Sequence, residues 1–476
     1  MKKLIKYLAF VLVLVACCVG TFFLTQKEVH TPSFMVMGDV KEVKIIDNLE
    51  TYEKTTFSHK DKNLQGVSLD KIIDNKRDEN SKLVFVGSDG LTSQVDAGTV
   101  TKSYLLFSEE NGWELINLEH PISSNIKHLK EIIVVSQEEY SKTAFTIFNE
   151  EENLFMHTVG QMMMQNYEFY RKFEGQSTYN ENDVSVYTPH KIFDLKELIG
   201  DKSDVNYGRI FLENGKIEDV ELNGYIDIKN NQVDYVSYNK DYEYQDVRGI
   251  FLGTDLGHVS DVYYDMEHYL NKGEKVMTIF IDGFNYQTYE KAKKRGIIPN
   301  ISNGKLRKSL SVHTSVTNAG YASMITGVTP DINGVHNRDH RDLKVDSIFK
   351  LAKDLGINTS YLEADIKILN TEITPRLHTG GDFEIIKTAE KDIENGAEFV
   401  FIHLHELDNL GHLYGPQDKS LYEYLEKIDK ALEKIMLEFD GEIIISTDHG
   451  MHDKGEAGDH GNMCYEDMII PIISID

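Results

Sequence analysis

The sequence predicts an α/β protein: a mainly parallel sheet with helices on both faces, preceded by two β-rich units. Three observations carry this prediction. From about Asp265 onward, short apolar runs alternate with amphipathic segments of helical spacing. Strand–helix alternation favours parallel strands covered on both faces. Before that point, from Pro32 to Val247, short β-like runs alternate with polar loops. Within that β-rich stretch, one pattern occurs twice.

The chain opens on a targeting pattern. Lys2, Lys3 and Lys6 precede an apolar run from Tyr7 to Leu24, and polar sequence begins at Gln26. Residues 1–25 therefore read as a signal peptide or a membrane anchor, since about 17–25 apolar residues span a bilayer. The positive flank places the remainder on the outer side. Leu14-Val15-Ala16-Cys17 resembles a lipoprotein box, with Cys17 as the lipidated residue; alternatively, Cys17 and Cys18 are small apolar residues of the anchor. The expected location is the cell envelope, on the outer face of the membrane, anchored or lipidated, or secreted after cleavage.

Composition narrows the class. Hydrophobic content of 41% is that of a globular protein, and 476 residues suffice for two or three cores. A net charge of −28 disfavours nucleic acid and anionic lipid as partners. The same field repels anionic substrates, so an anion site here needs local positive charge. Cys464 stands alone outside the first 25 residues, which excludes a disulfide within the body and predicts a core thiol.

In the β-rich stretch, Lys82–Gly87 and Glu131–Val135 are predicted strands. The segment Val67–Asp74 is echoed by Phe193–Gly200. Val84-Phe85-Val86 and Ile210-Phe211-Leu212 follow at the same offset, and then the turns Asp89-Gly90 and Asn214-Gly215. This predicts two copies of one unit, 32–137 and 143–252. Each copy resembles the molybdopterin-binding fold of sulfite-oxidase-type enzymes. The metal-ligating cysteine of that family has no counterpart, because 32–252 contains no Cys. The units are expected to be binding or spacer modules, open to an unidentified envelope partner, and Met162, Met163 and Met164 to fill core.

The third domain, 265–476, is read element by element. Lys275–Ile281, Ser309–Val312, Ala397–Leu404 and Glu442–Ser446 are predicted buried strands, and Ile469–Ile475 closes the chain. Val345–Leu355 and Leu421–Phe439 are predicted helices. Ligands gather at the carboxyl ends of such sheets, and Asp282, Asp408, Asp448 and His449 fall at or just after strand ends. Asp408 and His412 lie one helical turn apart and face one ion if the segment is helical. Asp448 either caps a helix or binds metal. His460 is a further ligand or an ordinary loop histidine. Thr317 follows a strand and enters a predicted helix, where backbone N–H groups favour an anion; it is a nucleophile or merely an N-cap.

Taken together, Ile281-Asp282-Gly283, Thr317 with Thr326-Gly327, Pro330 to Asn337, Asp408-x-x-Gly-His412, Asp448-His449-Gly450-Met451 and Gly458-x-His460-Gly461 resemble the alkaline phosphatase superfamily, in its type I phosphodiesterase/nucleotide pyrophosphatase branch. The resemblance covers 275–476. It implies an alkaline-phosphatase-like hydrolase domain that acts on phosphate esters, as a phosphodiesterase or phosphatase. Asp408, His412 and His460 would hold one divalent ion, and Asp282, Asp448 and His449 another beside the nucleophile Thr317. The implied reaction is an in-line displacement through a phosphothreonine. Zinc suits the mixed His/Asp ligands, with manganese next.

This sequence departs from the branch in several places. Where the branch carries an Asn that donates to the phosphoryl oxygen, this chain has Gly320, with Asn318 as a substitute. Asn333-Gly334 replaces the usual His-Gly, and the short stretch from Asn337 to Asp408 leaves no room for a large capping insertion. Arg338 or Arg341 is a candidate phosphate grip or a solvated surface charge. His403 and His405 are expected to pack behind the ligands. The alternative functions are an envelope phospho-headgroup transferase and a catalytically impaired surface binding or scaffold protein. Sulfatase chemistry is disfavoured, because no Cys or Ser stands in a Cys/Ser-x-Pro-x-Arg setting.

Overall fold

A computed structural model describes residues 32–73, 80–138, 141–165, 168–179, 182–200, 204–239 and 242–475. The predicted signal or anchor, 1–25, lies outside the described residues. Among the described residues, no helix is long and apolar enough to cross a membrane.

The chain forms two compact units that divide between Ser136 and Gln137. The first holds a five-stranded sheet in the order Lys44–Ile46, Phe34–Gly38, Leu129–Val135, Lys82–Gly87, Thr92–Asp96. Its closing strand pairs parallel with the opening one, and the other pairs are antiparallel. The second unit contains a five-stranded sheet of the same plan: Asn153–His157, Phe145–Phe148, Val247–Leu252, Tyr207–Leu212, Ile217–Glu221. Here too, the closing strand runs parallel to the opening one while the remaining neighbours are antiparallel. A short helix, Leu69–Ile72 in one copy and Leu195–Ile199 in the other, precedes the strand that is third in chain order within each of these sheets. The echoed sequence therefore corresponds to echoed topology. Met162 and Met163 are buried, while Met164 is exposed.

The second unit runs across the 252–265 boundary drawn from sequence. Phe148, Phe211 and Phe251 of the β-rich segment share one apolar cluster with Leu310, Met463, Met468 and Ile469. These side chains join the segment to the α/β sheet.

That sheet has eight strands, numbered here in chain order: β1 Gly257–His258, β2 Val276–Ile281, β3 Lys305–Leu310, β4 Thr359–Glu363, β5 Arg376–Leu377, β6 Phe399–Leu404, β7 Glu442–Ser446 and β8 Ile469–Ile475. Their spatial order is β1-β3-β8-β7-β2-β6-β4-β5, and β8 alone runs antiparallel to its neighbours. The helices are α1 Asp261–Lys272, α2 Tyr286–Lys294, α3 Thr317–Thr326, α4 Ile348–Leu355, α5 Asp382–Glu394, α6 Glu406–Tyr414 and α7 Lys419–Glu438, with only single-turn helices besides. Alternate residues along each strand enter opposite cores. Met277, Ile279 and Ile281 meet α2, α5 and α7, whereas Val276 and Phe280 meet α1, α3 and α4.

The predicted strand Ser309–Val312 is displaced: β3 occupies Lys305–Leu310. Tertiary partners make this polar run a strand. It pairs along β8, Arg307 meets Asp265, and Lys308 reaches Glu150 at 3.0 Å. The helix expected from Val345 starts at Ile348, capped by the Ser347 hydroxyl, which accepts from Phe349 N at 3.2 Å.

Helix α7 tests the packing argument. Leu425 is fully buried, whereas Leu437 is 78% exposed. Leu425→Ala should cost about 2–5 kcal/mol, and Leu437→Ala at most about 0.5 kcal/mol, as read by urea denaturation.

Candidate active site

Strands β7, β2 and β6 are consecutive and parallel, so their carboxyl ends lie side by side. Neighbouring strands are about 4.8 Å apart, close enough for residues just past their ends to meet. Asp282 follows β2, His403 and His405 flank the end of β6, and Asp448 with His449 follow Thr447 at the end of β7. Asp408 and His412 stand one turn apart on α6, which is helical as the spacing requires. His460 directly follows the small hairpin His452–Lys454/Ala457–Asp459.

The predicted ligands converge. Asp282, Asp448 and His449 offer ligand atoms within 4.8 Å of one another, and so do Asp408, His449 and His460. His449 thus belongs to both groups. Its Nε2 lies 3.5 Å from Asp282 Oδ1 and 3.3 Å from Asp448 Oδ2. Asp408 reaches His412 Nε2 at 3.4 Å through Oδ2, and His460 Nε2 at 3.8 Å through Oδ1. His412 therefore joins the second group through Asp408 rather than as one of its mutually close atoms. The imidazoles are oriented from behind: His449 Nδ1 lies 2.8 Å from Gly450 O, His460 Nδ1 3.0 Å from Ser315 O, and His412 Nδ1 3.1 Å from Gly458 O. Their Nε2 atoms are thereby directed inward.

Asp282 Oδ1, Asp408 Oδ1 and Asp448 Oδ2 are buried without a hydrogen-bond partner. Buried carboxylate oxygens are costly to leave unpaired. Three of them facing imidazole nitrogens beyond good hydrogen-bond range fit a donor set for divalent cations. The charges agree with this. Burial and the neighbouring Asp282 charge push Asp448 up to about 8. Asp282 is also buried, but the His403 hydrogen bond and the charges of His449 and His403 outweigh that and hold it below the ordinary range. Burial and the His449 charge depress His460.

Thr317 is the first residue of α3, and the N-cap is Val316. The capping role is thereby excluded. The Thr317 hydroxyl instead lies 3.3 Å from His449 Nε2, at the edge of the ligand cluster. Gly320 has a packing reason: a Cβ there would stand 2.5 Å from Asp448 O and 2.8 Å from Asp448 Cβ, so the helix can approach the β7 end only without a side chain. Asn318 does not replace an amide at that place, because its Nδ2 donates to His340 O at 3.0 Å and Arg338 O at 3.4 Å. Asn333 holds a turn, donating to Val328 O at 3.0 Å and accepting from Val335 N at 2.9 Å. Of the two arginines, Arg341 donates to Lys367 O at 2.9 Å, whereas Arg338 places Nη2 2.7 Å from His460 Nε2 and so enters the site.

His403 packs behind the ligands, as expected. It stacks on Phe280 with ring centroids 3.8 Å apart, and its Nε2 lies 3.3 Å from Asp282 Oδ2. Despite burial, hydrogen bonding to Asp282 and the charges of Asp282 and Glu363 raise it to about 9. Burial and the His403 charge lower His405 to about 4. Glu363 closes β4, Thr359–Glu363, a short and largely polar run that carries no sequence signal for a role in the site. Cys464 is buried beside His452 and Asp467. There His452 Nδ1 meets both Asp467 oxygens at 2.9 and 3.1 Å, and Asp467 accepts from Asn462 N.

Two measurements follow. Gly320→Ala should displace Asp448 and weaken divalent-ion binding by about tenfold or more, measured by calorimetry. With Asp448 raised to about 8, ion binding must expel its proton. Affinity should therefore fall as pH drops below that value, with about one proton released per Asp448-bound ion near neutrality, read from the buffer dependence of the binding enthalpy.

Residues 361–468 match the family model "Type I phosphodiesterase / nucleotide pyrophosphatase". Among curated proteins, the catalytic subunit of human GPI ethanolamine phosphate transferase 2 is 24% identical over 183 residues, 34% of this chain and 18% of that protein. GPI ethanolamine phosphate transferase 1 of Aspergillus oryzae is 33% identical over 89 residues, 16% of this chain and 9% of that protein. The chain thus spans under a fifth of the length of these relatives. Among solved structures, murine ectonucleotide pyrophosphatase/phosphodiesterase 5 is 18% identical, covering 38% of this chain and 59% of that one at a TM-score of 0.32. Phosphonoacetate hydrolase from Sinorhizobium meliloti 1021 is 17% identical, covering 37% and 56% at 0.31. Residues 361–468, which carry Asp408, His412, Asp448, His449 and His460, are thus similar to the type I phosphodiesterase / nucleotide pyrophosphatase family.

Proposed function

We infer that this protein is an exported enzyme that cleaves phosphate esters, with Thr317 as nucleophile and two divalent ions as cofactors. The observation that carries this reading is the Thr317 hydroxyl lying 3.3 Å from His449 Nε2, at the edge of a cluster with three unpartnered carboxylate oxygens. Asp282, Asp448 and His449 would hold one ion, and Asp408, His412 and His460 the other. When bound, such ions neutralise phosphate charge and make a hydroxyl a competent nucleophile, zinc suiting the ligand types best.

The chain's own groups supply the rest. The Thr317 oxygen forms a bond to phosphorus while the bond to the leaving oxygen breaks, giving a phosphothreonine. The N-terminal end of α3 favours the phosphoryl charge at that position. Attack by water then releases phosphate or a monoester and restores the hydroxyl. Attack by another hydroxyl would make the same site a transferase, a second reading supported by the two ethanolamine phosphate transferase relatives. Export rests on the lysines and apolar run of residues 1–25, and lipidation at Cys17 would place the enzyme on the outer face of the membrane.

Metal analysis of the soluble body should find about two ions per chain, with turnover on p-nitrophenyl phosphate, its bis-ester or a phosphonate ester. A content well below two and no turnover on any of them would favour a scaffold role. Thr317→Ala should abolish turnover and leave the ions bound; retained activity would remove Thr317 as nucleophile. Adding an alcohol acceptor at low concentration separates the two readings: a transferase passes the group mainly to the alcohol, whereas a hydrolase still passes it mainly to water.

A further inference from the structure

A line of buried polar groups runs from the candidate ligand Asp282 to the helix that carries Thr317. His403 Nε2 lies 3.3 Å from Asp282 Oδ2, and His403 Nδ1 faces Glu363 Oε1 at 3.9 Å. Glu363 Oε1 accepts from the Tyr361 hydroxyl at 2.9 Å, and Glu363 Oε2 from Ile368 N at 3.3 Å. The Tyr361 hydroxyl in turn bonds the hydroxyl of Tyr321. Tyr321 stands on α3 four residues after Thr317, about one helical turn. Glu363, His403 and Tyr321 are fully buried, and Tyr361 and Asp282 are 2% exposed.

A buried carboxylate is costly, and packing alone would favour an apolar residue at the end of β4. What Glu363 does there follows from its two sides. Toward Asp282 it faces His403 Nδ1 as a charge at 3.9 Å and not as a hydrogen-bond partner, and that ring is also held flat against Phe280 and edge-on to Tyr321 at 5.2 Å. Toward α3 it anchors the Tyr361–Tyr321 pair. We propose that Glu363 is a positioning residue of the site, orienting the Asp282 carboxylate through His403 and aligning α3, hence Thr317, through Tyr361 and Tyr321. Partners behind a ligand set its direction and basicity, and losing them typically weakens metal binding about 10–100-fold. The inference rests on the two-ion reading above.

The test is titration of the metal-free full chain with Co²⁺, followed by visible absorption and calorimetry, for wild type, Glu363→Gln, Tyr361→Phe and Asp429→Asn. Gln keeps the volume and an acceptor for Tyr361 but removes the charge facing His403. Tyr361→Phe removes one hydroxyl and covers the case in which Glu363→Gln does not fold. Asp429 is the control: equally buried, it ties Asn300 and Ile301, at 3.1 and 2.8 Å, away from the site. The expected result is that one of two Co²⁺ ions binds about tenfold or more weakly in Glu363→Gln, with an altered absorption spectrum. A smaller loss is expected in Tyr361→Phe, and none in Asp429→Asn. Unchanged affinity and spectrum in Glu363→Gln, or an equal loss in Asp429→Asn, overturns the proposal while leaving the two-ion site standing. Failure of the wild type to bind Co²⁺ overturns both.

Discussion

Three carboxylates converging at the carboxyl edge of the sheet are the constraint on which the remaining geometry depends. Asp282, Asp408 and Asp448 come from three different elements, and each leaves one oxygen unpartnered. Proteins tolerate such an arrangement where the charge is met by something that binds. The imidazoles of His449 and His460 face the same oxygens with Nε2, held by backbone carbonyls behind them. In a chain of net charge −28, this pocket of donors is the place where an anionic ester would otherwise be repelled. Cations in it would reverse the local field.

The sheet explains how those donors meet. Because β7, β2 and β6 are adjacent and parallel, three chain segments far apart in sequence end on one edge. Both faces of the sheet are covered by helices, which fixes the strand ends and leaves little freedom to the residues just beyond them. Helix α3 reaches the same edge only because Gly320 lets it lie against the Asp448 backbone. A residue that reads as a missing catalytic amide is thus a requirement of close approach. Arg338 reads from sequence either as a phosphate grip or as a solvated charge, and its guanidinium touches a candidate ligand.

Much of this was legible beforehand for physical reasons. Strand and helix periods are local properties, and strand-end ligands follow from the way parallel sheets expose their carboxyl ends. The Asp408–His412 spacing was readable because one helical turn is a fixed length. The duplicated β-rich plan showed itself through repeated triplets and turns. Less accessible were β3, whose charged residues become a strand only by pairing with β8, and Glu363, whose role depends on a histidine forty residues away. His449's membership of both ligand groups could not be read from spacing, since it depends on how β7 ends against β2.

The sequence by itself determined the order and chemistry of the donors, the strand–helix alternation that carries them, and the candidate nucleophile. These depend on residue type and local period. Only the tertiary structure decided which donors share a space, that Thr317 faces His449 instead of capping its helix, and that Gly320 serves packing. Those outcomes depend on distances between segments remote in the chain, and such distances are set by strand adjacency and helix approach.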